Sequence, residues 1–536
     1  MARIFAGRAA AAQVALVSGV PAAVWAVDGQ PRGAFLLRWS GSRVVEIDVG
    51  YEAAGQHIGL VSGGGPQRMT SPVAYWHVPD IEAKVAEVEA AGATVKDAPA
   101  TSAAARPPVA VEAGAARGWR MTNSRLPALL HPFGRPAADR DDFVDIVSGS
   151  GAEVVDAQGR RYVDALGSLW YSTVGHGRTE IADAIAAQLK LLDAFHLFDR
   201  FTNPPADALA ERLAAIAPMP DARVFLTSGG SESVETAVKL ARIAQAQAGH
   251  PERTVVVSRE PSYHGVTFAA MTLTGLAGNR EGFGPLLPDV ARVPYDSVEA
   301  LDELDAVAEG RVAAVIAEPV VGAGGVYPPP EGYFAALRER CDRWGAYLIC
   351  DEVICGFGRL GEWWGSTHYG VQPDLVTFAK GVTSGYQPLG GVLVGSAVRD
   401  PLEADSSFVF RHGYTYSGHP VAAAAALANL DVIEREGLIE RAGAIGEVLG
   451  KGLGSLVDGT RVREVRGTMG VWALGLGEEV PAPALRDTML EYGVIARPIG
   501  ATAIAYCPPL VVTDEQLEQC VEGTREALSA LEKARS

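Results

Sequence analysis

AYLICD, residues 346–351, and DLVTFAK, residues 374–380, are short and almost wholly apolar runs that each end on one charged side chain. Neither alternates polar with apolar residues, so neither has a wet face. Such runs are strands buried on both sides, as in a parallel sheet covered by helices. ARVFLTS (222–228), RTVVVS (253–258) and VAAVIAEPV (312–320) read the same way, and the stretches between them carry helical spacing. From about residue 119 the pattern is therefore an α/β fold with a mostly parallel central sheet. From about 420 an Ala-rich helix, PVAAAAALANLDVIERE, is followed by VREVRG and VWALGL, which predicts a smaller C-terminal α+β lobe.

The charged ends of the first two runs are Asp351 and Lys380. Open α/β sheets bind ligands in the crevice outside the carboxyl ends of their strands, so an acid and an amine placed there can address one ligand. An apolar strand before Lys380 and Gly381 after it would desolvate the ammonium, lower its pKa and yield a nucleophilic amine. Spacing alone favours an ordinary buried ion pair.

Two further stretches bear on that choice. FLTSGGSESVETAVKLARIA (225–244) is a strand, a turn at Gly229 and Gly230, and a helix opened by Ser231 with Val234, Val238 and Ala241 on one face. A helix start behind glycines presents free backbone N–H groups and the positive end of the dipole, which suits a phosphate. On its own such a turn is more often only a capped helix. SYHGVT (262–267) supplies Tyr263, whose face suits stacking on a flat heterocycle.

Outside this region the chain is less explicit. Residues 97–118 (DAPATSAAARPPVAVEAGAARG) lack any period and read as a linker. Before them, VALVSGVPAAVWAVDGQPRGAFLLRW and SRVVEIDVG alternate around Asp28-Gly29 and Gly41-Ser42, which predicts hairpins. VAYWHVPDIEAKVAEVEAAGATV (73–95) reads strand, helix with Ile81, Val85 and Val88 on one face, then strand. The first of these pieces resembles the strand-rich tail of a SnoaL-like domain and the second half of a glyoxalase module. His57 and His77 lack the paired metal set of the glyoxalase family, so no metal site is read. Residues 1–96 are taken as an N-terminal α+β appendage.

The balance of 46 Lys plus Arg against 64 Asp plus Glu gives a net charge of -18, which disfavours nucleic acid or an anionic membrane as partner. At 48% hydrophobic and 21% charged residues the chain is globular, and its apolar stretches are broken before they could span a bilayer. Five scattered cysteines fit reduced cytoplasmic thiols. Arg3 and Arg8 before the run from Ala9 to Val27 imitate a secretory signal, but Gln13, Ser18 and Pro21 interrupt it. Gly356, Gly358 and Gly361 spell a dinucleotide fingerprint, yet EWWGSTHYG follows, which cannot make the required amphipathic helix.

Residues 119–536 resemble the class III, fold type I, pyridoxal-phosphate-dependent aminotransferases. The matching stretches occur in family order: LGSLWYSTVGHGR, SGGSE, SYHG, AEPVVGAGGV, CDEVICGFGR, TFAKGVTSGYQPLGG, HGYTYSGHP and VIARPIG. The resemblance implies a large cofactor-binding domain with its N-terminal segment at 119–420 and a small C-terminal domain at 421–536. It implies that Lys380 is the Schiff-base lysine, Asp351 the carboxylate on the ring nitrogen, and Val353 the apolar residue under the ring opposite Tyr263. Gly229, Gly230 and Ser231 would hold the phosphate, His264 and Glu318 would lie near the ring, and Thr415 would reach the phosphate of a neighbouring subunit, making a homodimer with shared sites. Arg497 would bind an acceptor's carboxylate, and Leu169, Trp170 and Tyr263 would wall the substrate pocket.

Ile354 stands where ornithine-type members carry glutamine, and EPVVG replaces EPIQG. With Leu169-Trp170 this resembles the amine:pyruvate and β-alanine:pyruvate branch of omega-transaminases. The implied reaction moves an amino group from a small amine or omega-amino acid to an oxo acid such as pyruvate, in two halves through pyridoxamine phosphate. Relatives that decarboxylate or isomerise with the same Lys380–Asp351 pair are the enzymatic alternative. A cofactor-binding regulator is another, unsupported by any helix-turn-helix or basic patch.

Overall fold

In the computed structural model the described residues are five strands between 12 and 60, then 128–308 and 310–535. The chain divides into two compact units, residues 1–140 and 141–536.

In the first unit, β1 (Ala12–Val17), β2 (Val20–Val27), β3 (Gln30–Ser40), β4 (Arg43–Ala53) and β5 (Gln56–Leu60) form an antiparallel meander in sequence order. Val27 pairs with Gln30 and Ser40 with Arg43, so β2 with β3 and β3 with β4 are paired as hairpin strands, as predicted, while residues 28–29 and 41–42 lie outside the described residues. The apolar run after Arg8 supplies β1 and β2 from residue 12 onward. The linker at 97–118 and the strand–helix–strand reading of 73–95 lie outside the described residues.

The second unit holds three sheets. Strands β6 (Ile146–Ser150), β7 (Glu153–Asp156) and β8 (Arg161–Asp164) precede the main sheet in the chain. The main sheet uses β9 (Arg223–Thr227), β10 (Val255–Glu260), β11 (Val290–Pro294), β12 (Val312–Ala317), β13 (Tyr347–Asp351), β14 (Leu375–Phe378) and β15 (Gly390–Val394) in the order β11-β10-β12-β13-β14-β15-β9. Neighbours from β11 to β14 are parallel, and β15 alone is reversed between β14 and β9. The α/β architecture with a mostly parallel sheet is thus the observed one. All residues of β12, β13 and β14 are buried, which is why their sequence carries no alternation.

Helix α1 (Gly230–Gln247) covers one face of this sheet with Val234, Val238 and Ala241, each at most 5% exposed. Burying a valine contributes about 1.5–3 kcal/mol, so this stripe fixes where the start of α1 lies relative to the strand ends. Toward the C-terminus, α2 (Pro420–Arg435) is followed by α3 (Leu438–Gly454) and by an antiparallel sheet of β16 (Val462–Thr468), β17 (Val471–Leu476), β19 (Arg497–Ile499) and β20 (Ala503–Tyr506). The two-residue strand β18 (Val494–Ile495) instead pairs in parallel with β8, so the third sheet joins both ends of this unit. No helix among the described residues is long and apolar enough to cross a membrane.

Candidate active site

Asp351 is the last residue of β13, and its register partner on β14 is Thr377. β14 ends at Phe378, where its pairing with Gly391 closes the ladder. Lys380 therefore stands two residues beyond the strand, in a single 3-10 turn with φ of 48°. That left-handed conformation costs a non-glycine residue about 1 kcal/mol or more. Asn429 of α2 holds the turn from below, donating from Nδ2 to the carbonyls of Gly381 at 2.8 Å and Val382 at 3.0 Å. Burial lowers the pKa of the Lys380 ammonium, and the nearby charges of Asp351 and Glu318 act against that shift.

Asp351 is 3% exposed and closely held. Its Oδ1 accepts from Thr377 Oγ1 at 2.9 Å and from the backbone N–H of Val353 at 3.2 Å, and Oδ2 lies 2.7 Å from Nδ1 of His264. The ring of His264 is buried, and its Nε2 has no partner among the described residues. Glu318 follows β12 directly. Its Oε1 accepts from the Tyr263 N–H at 3.0 Å and its Oε2 from the Gly322 N–H at 2.9 Å. Burial pushes its carboxyl up and the field of Asp351 adds to this, while His264 and the two N–H groups pull it down. Beneath it the fully buried guanidinium of Arg259 donates to the Glu318 carbonyl and lies over the rings of Tyr333 and Phe334.

At the start of α1 the first intrahelical bond runs from Ser233 N–H to Gly229 O, so the N–H groups of Gly230, Ser231 and Glu232 precede the helical ladder. A Cβ on Gly229 would meet nothing within 4 Å, whereas one on Gly230 would touch Val353 Cγ1 at 3.0 Å and Ala379 Cβ at 3.7 Å. Gly230 thus lets the helix start close to the turns that carry Val353 and Lys380, and Gly229 leaves room beside it. Ser231 Oγ accepts from Val266 N–H at 3.0 Å, which ties this helix start to the segment after Tyr263.

Gly265 makes that tie possible. Its φ is 127°, and a Cβ there would stand 2.9 Å from Ser231 Cα and closer still to Ser231 Oγ. Gly265→Ala should therefore destabilise the chain by about 2–3 kcal/mol, from overpacking and an unfavourable φ. The check is a thermal melt paired with dialysis of the cofactor, where weaker retention is expected with the lower melting point.

Tyr263 is half-buried, and its hydroxyl is pushed up by burial, opposed by the charge of Arg497. Arg497 opens β19, is itself half-buried, and makes neither ion pair nor hydrogen bond among the described residues. Burial lowers the pKa of its guanidinium. Its charge reaches Lys380 as well. An arginine left without an acid at the edge of such a centre can take a carboxylate from outside.

Of the residues singled out in the sequence, Lys380, Asp351, Glu318, Tyr263, His264, Val353, Gly230 and Ser231 are joined by these contacts, with Gly229 capping the same helix. Ile354 is buried, packs beside Gly322 close to Glu318, and shares an apolar cluster with Trp170. Trp170 is only 3% exposed, while Leu169 is 45% exposed. Thr415 stands apart: it is exposed and makes no hydrogen bond among the described residues. The segment before it packs on α1, with His412 Nε2 at 2.9 Å from Thr236 Oγ1 and Tyr414 donating its hydroxyl to Glu232 O at 3.2 Å. The glycines at 356, 358 and 361 lie in a run of turns, followed only by a helix of four residues, Gly365–His368. Sequence reasoning missed Thr377, Asn429, Arg259 and Asp164. For the first two a signal existed, since each is a lone polar residue in an apolar run whose burial demands a partner.

Flat heteroaromatic phosphates suit this donor set. An amine, two carboxylates, an aromatic face, an apolar residue and a helix start with room at Gly229 converge, and His264 Nε2 is left unsatisfied. Residues 136–528 match the family model described as Aminotransferase class-III. The putrescine–pyruvate aminotransferase of Pseudomonas aeruginosa is 37% identical over 412 residues, covering 72% of this chain and 90% of that protein. The β-alanine–pyruvate aminotransferase of the same organism is 35% identical over 428 residues, with 75% and 95% covered. An omega transaminase from Pseudomonas jessenii, solved in complex with PMP, superposes with a TM-score of 0.71 at 34% identity, covering 76% of this chain and 96% of that one.

Proposed function

The chain belongs to the class-III aminotransferases, enzymes of fold type I that depend on pyridoxal phosphate and transfer amino groups, and on that premise we propose that it moves an amino group from a small amine or omega-amino acid to pyruvate, in two alternating halves. The observation that carries the reading is the convergence of Lys380, Asp351, Glu318 and Tyr263 at the strand ends facing the start of α1. The kinship to putrescine–pyruvate and β-alanine–pyruvate aminotransferases supports the donor and acceptor classes.

When bound, the cofactor supplies an electron sink for the pair released at the substrate carbon and carries the amino group between the two halves. Lys380 would hold it through its amine. Gly229, Gly230 and Ser231 would bind its phosphate, Tyr263 and Val353 would flank its ring, and His264 and Glu318 would border it. Asp351 would keep the ring nitrogen protonated, because a buried carboxylate favours the charged form of a neighbouring base. With its amine free, Lys380 Nζ would take the proton from the carbon bearing the nitrogen and hold it for return to the cofactor. Desolvation suits it to this, since a lowered pKa keeps more of the amine unprotonated near neutral pH. Arg497 would take the acceptor's carboxylate, and Leu169 and Trp170 would wall the donor side.

We read the enzyme as a homodimer in which Thr415 completes the neighbour's phosphate site. In support, Phe195, Phe198 and Phe201 are each more than 40% exposed and cluster in edge and stacked contacts with His196. Phe198 also borders Gly413, two residues from Thr415. Exposed aromatic clusters of this kind mark interaction surfaces. Five buried free cysteines fit a reducing cytoplasmic compartment.

The test is spectroscopic. The bound cofactor's visible band should vanish on adding a donor amine and return on adding pyruvate, with one alanine formed per cycle. Recovery of the band without pyruvate, with carbon dioxide released or the amine isomerised, would sink the reading. Arg497→Ala should raise KM for pyruvate by about 100-fold, the worth of a lost charge-assisted pair, and leave that for a neutral amine nearly unchanged. Equal changes in both would remove Arg497 from the acceptor site.

A further inference from the structure

Between β8 and the helices that follow, the short segment Gly167–Trp170 folds against the backbone's preferences. Ser168 has φ of 58° with ψ of -88°, and Trp170 has φ of 67°. Non-glycine residues held in such regions cost about 1–3 kcal/mol each and persist only where their surroundings over-determine them. Here the surrounding group is Asp164, the last residue of β8, which is 1% exposed. Its two oxygens accept from the Ser168 N–H at 2.8 and 2.6 Å, and Oδ2 also takes Ser168 Oγ at 3.1 Å and His176 Nε2 at 3.0 Å. Among the described residues every side-chain hydrogen bond of Asp164 goes to this turn or to His176.

The turn borders the active centre. Cys507 donates its N–H to Ala165 O at 2.7 Å, and a Cβ on Gly167 would stand 2.9 Å from Cys507 O. Cys507 in turn lies within electrostatic reach of Lys380. Trp170 shares its apolar cluster with Ile354, the residue after Val353. On the other side Ser384, four residues after Lys380, takes the N–H groups of Thr173 at 2.7 Å and Val174 at 3.0 Å on its hydroxyl oxygen. The segment bearing Leu169 and Trp170 is thus anchored to the Lys380 turn downstream and to Asp164 upstream.

We propose that Asp164 is a positioning residue for donor selection: by bonding the Ser168 N–H and hydroxyl it holds Ser168 and Trp170 at positive φ, fixes the Leu169–Trp170 wall and sets which amines the site admits. The proposal rests on the reading of the chain as an amine:pyruvate transaminase. It assigns Asp164 no contact with substrate and no part in proton transfer. With asparagine at 164 one amide oxygen can still accept from the Ser168 N–H, but the charge is gone and an NH2 donor replaces Oδ2, on which the Ser168 hydroxyl and His176 Nε2 converge. The turn therefore relaxes and the exposed Leu169 shifts, and bulky donors feel the change most.

The holoenzyme and its Asp164→Asn variant would be compared on a bulky arylalkylamine and a short linear diamine, each with pyruvate, and in the half-reaction of the aminated form with pyruvate alone. The ratio of KM values for the two amines should move about tenfold or more, the size of discrimination a misfitting apolar wall produces, with kcat for the diamine and the pyruvate half-reaction within about twofold of wild type. Glycine accepts φ of 58° without penalty and keeps the N–H that bonds Asp164, so Ser168→Gly alone should leave the ratio within about threefold of wild type, and Asp164→Asn placed on that background should move it far less than it does in the wild-type chain. Ser168→Ala, which keeps the strained φ but loses the hydroxyl bond to Asp164, carries the test if Asp164→Asn does not fold, a ratio shifted in the same direction supporting the proposal. An unchanged ratio in Asp164→Asn or its stand-in Ser168→Ala, a uniform loss that includes the pyruvate half-reaction, or strict additivity of Asp164→Asn and Ser168→Gly would overturn it. A wild-type enzyme that makes no alanine would overturn the underlying reading and this proposal with it; a wild type that makes alanine, beside an Asp164→Asn or stand-in Ser168→Ala variant with unaltered preference, defeats this proposal alone.

Discussion

Lys380→Ala should lose about 10⁴-fold or more in amino transfer, because one side chain is assigned both the attachment of the cofactor and the proton transfer at the substrate carbon. The loss should come without unfolding. The turn that carries Lys380 is held by Asn429 through the carbonyls of Gly381 and Val382, not through the lysine side chain. Removing that side chain also relieves the desolvation of its charge, so the melting point should hold or rise. Borohydride reduction of the holoenzyme should fix pyridoxyl to the wild-type chain and leave Lys380→Ala unlabelled by mass spectrometry, although the variant still retains cofactor through the phosphate contacts. Labelling of the variant, or activity within tenfold of wild type, would place the reactive amine elsewhere.

Asp351→Asn should cost about 10³-fold in kcat, the scale of losing one preorganised electrostatic contact in a dry site, with a much smaller change in KM for the amine. The substitution is nearly isosteric. An amide oxygen at the Oδ1 position can still accept from Thr377 and from the Val353 N–H, so packing and fold should survive. What disappears is a negative charge buried beside His264. That charge acts on Lys380 too, since Asp351 is the first of the groups that raise the ammonium's pKa against desolvation. Without it the Lys380 amine should titrate at lower pH, and the acid limb of the pH profile should move down with it. A fall in kcat with an unmoved profile would separate the two effects, and an unchanged kcat would end the assignment of Asp351.

Much of the site was legible before any coordinates because it lies at strand ends and helix starts, where sequence signals are local. Asp351, Lys380 and the turn at Gly229-Gly230 each stand at a change of period, from a buried apolar run to a turn. In the first unit the antiparallel pairing of β2 with β3 and of β3 with β4 was equally plain from the sequence. Residues that act across the fold were not. Thr377 meets Asp351 because β13 and β14 are paired in one particular register, and Asn429 meets the Lys380 turn from 49 positions downstream in the chain.

The sequence by itself determined the α/β class, the run of strands and helices, and the chemistry available at each strand end, because buried runs, caps and glycine turns depend on neighbours a few residues away. Only the tertiary structure decided that Lys380 sits beyond its strand in a left-handed turn, that β18 joins the opposite end of its unit, that Arg497 has no acid partner among the described residues, and that Asp164 holds Ser168, just ahead of Leu169 and Trp170. Each of these depends on contacts between groups far apart in sequence, where register, burial and the absence of a partner are set by the packed whole.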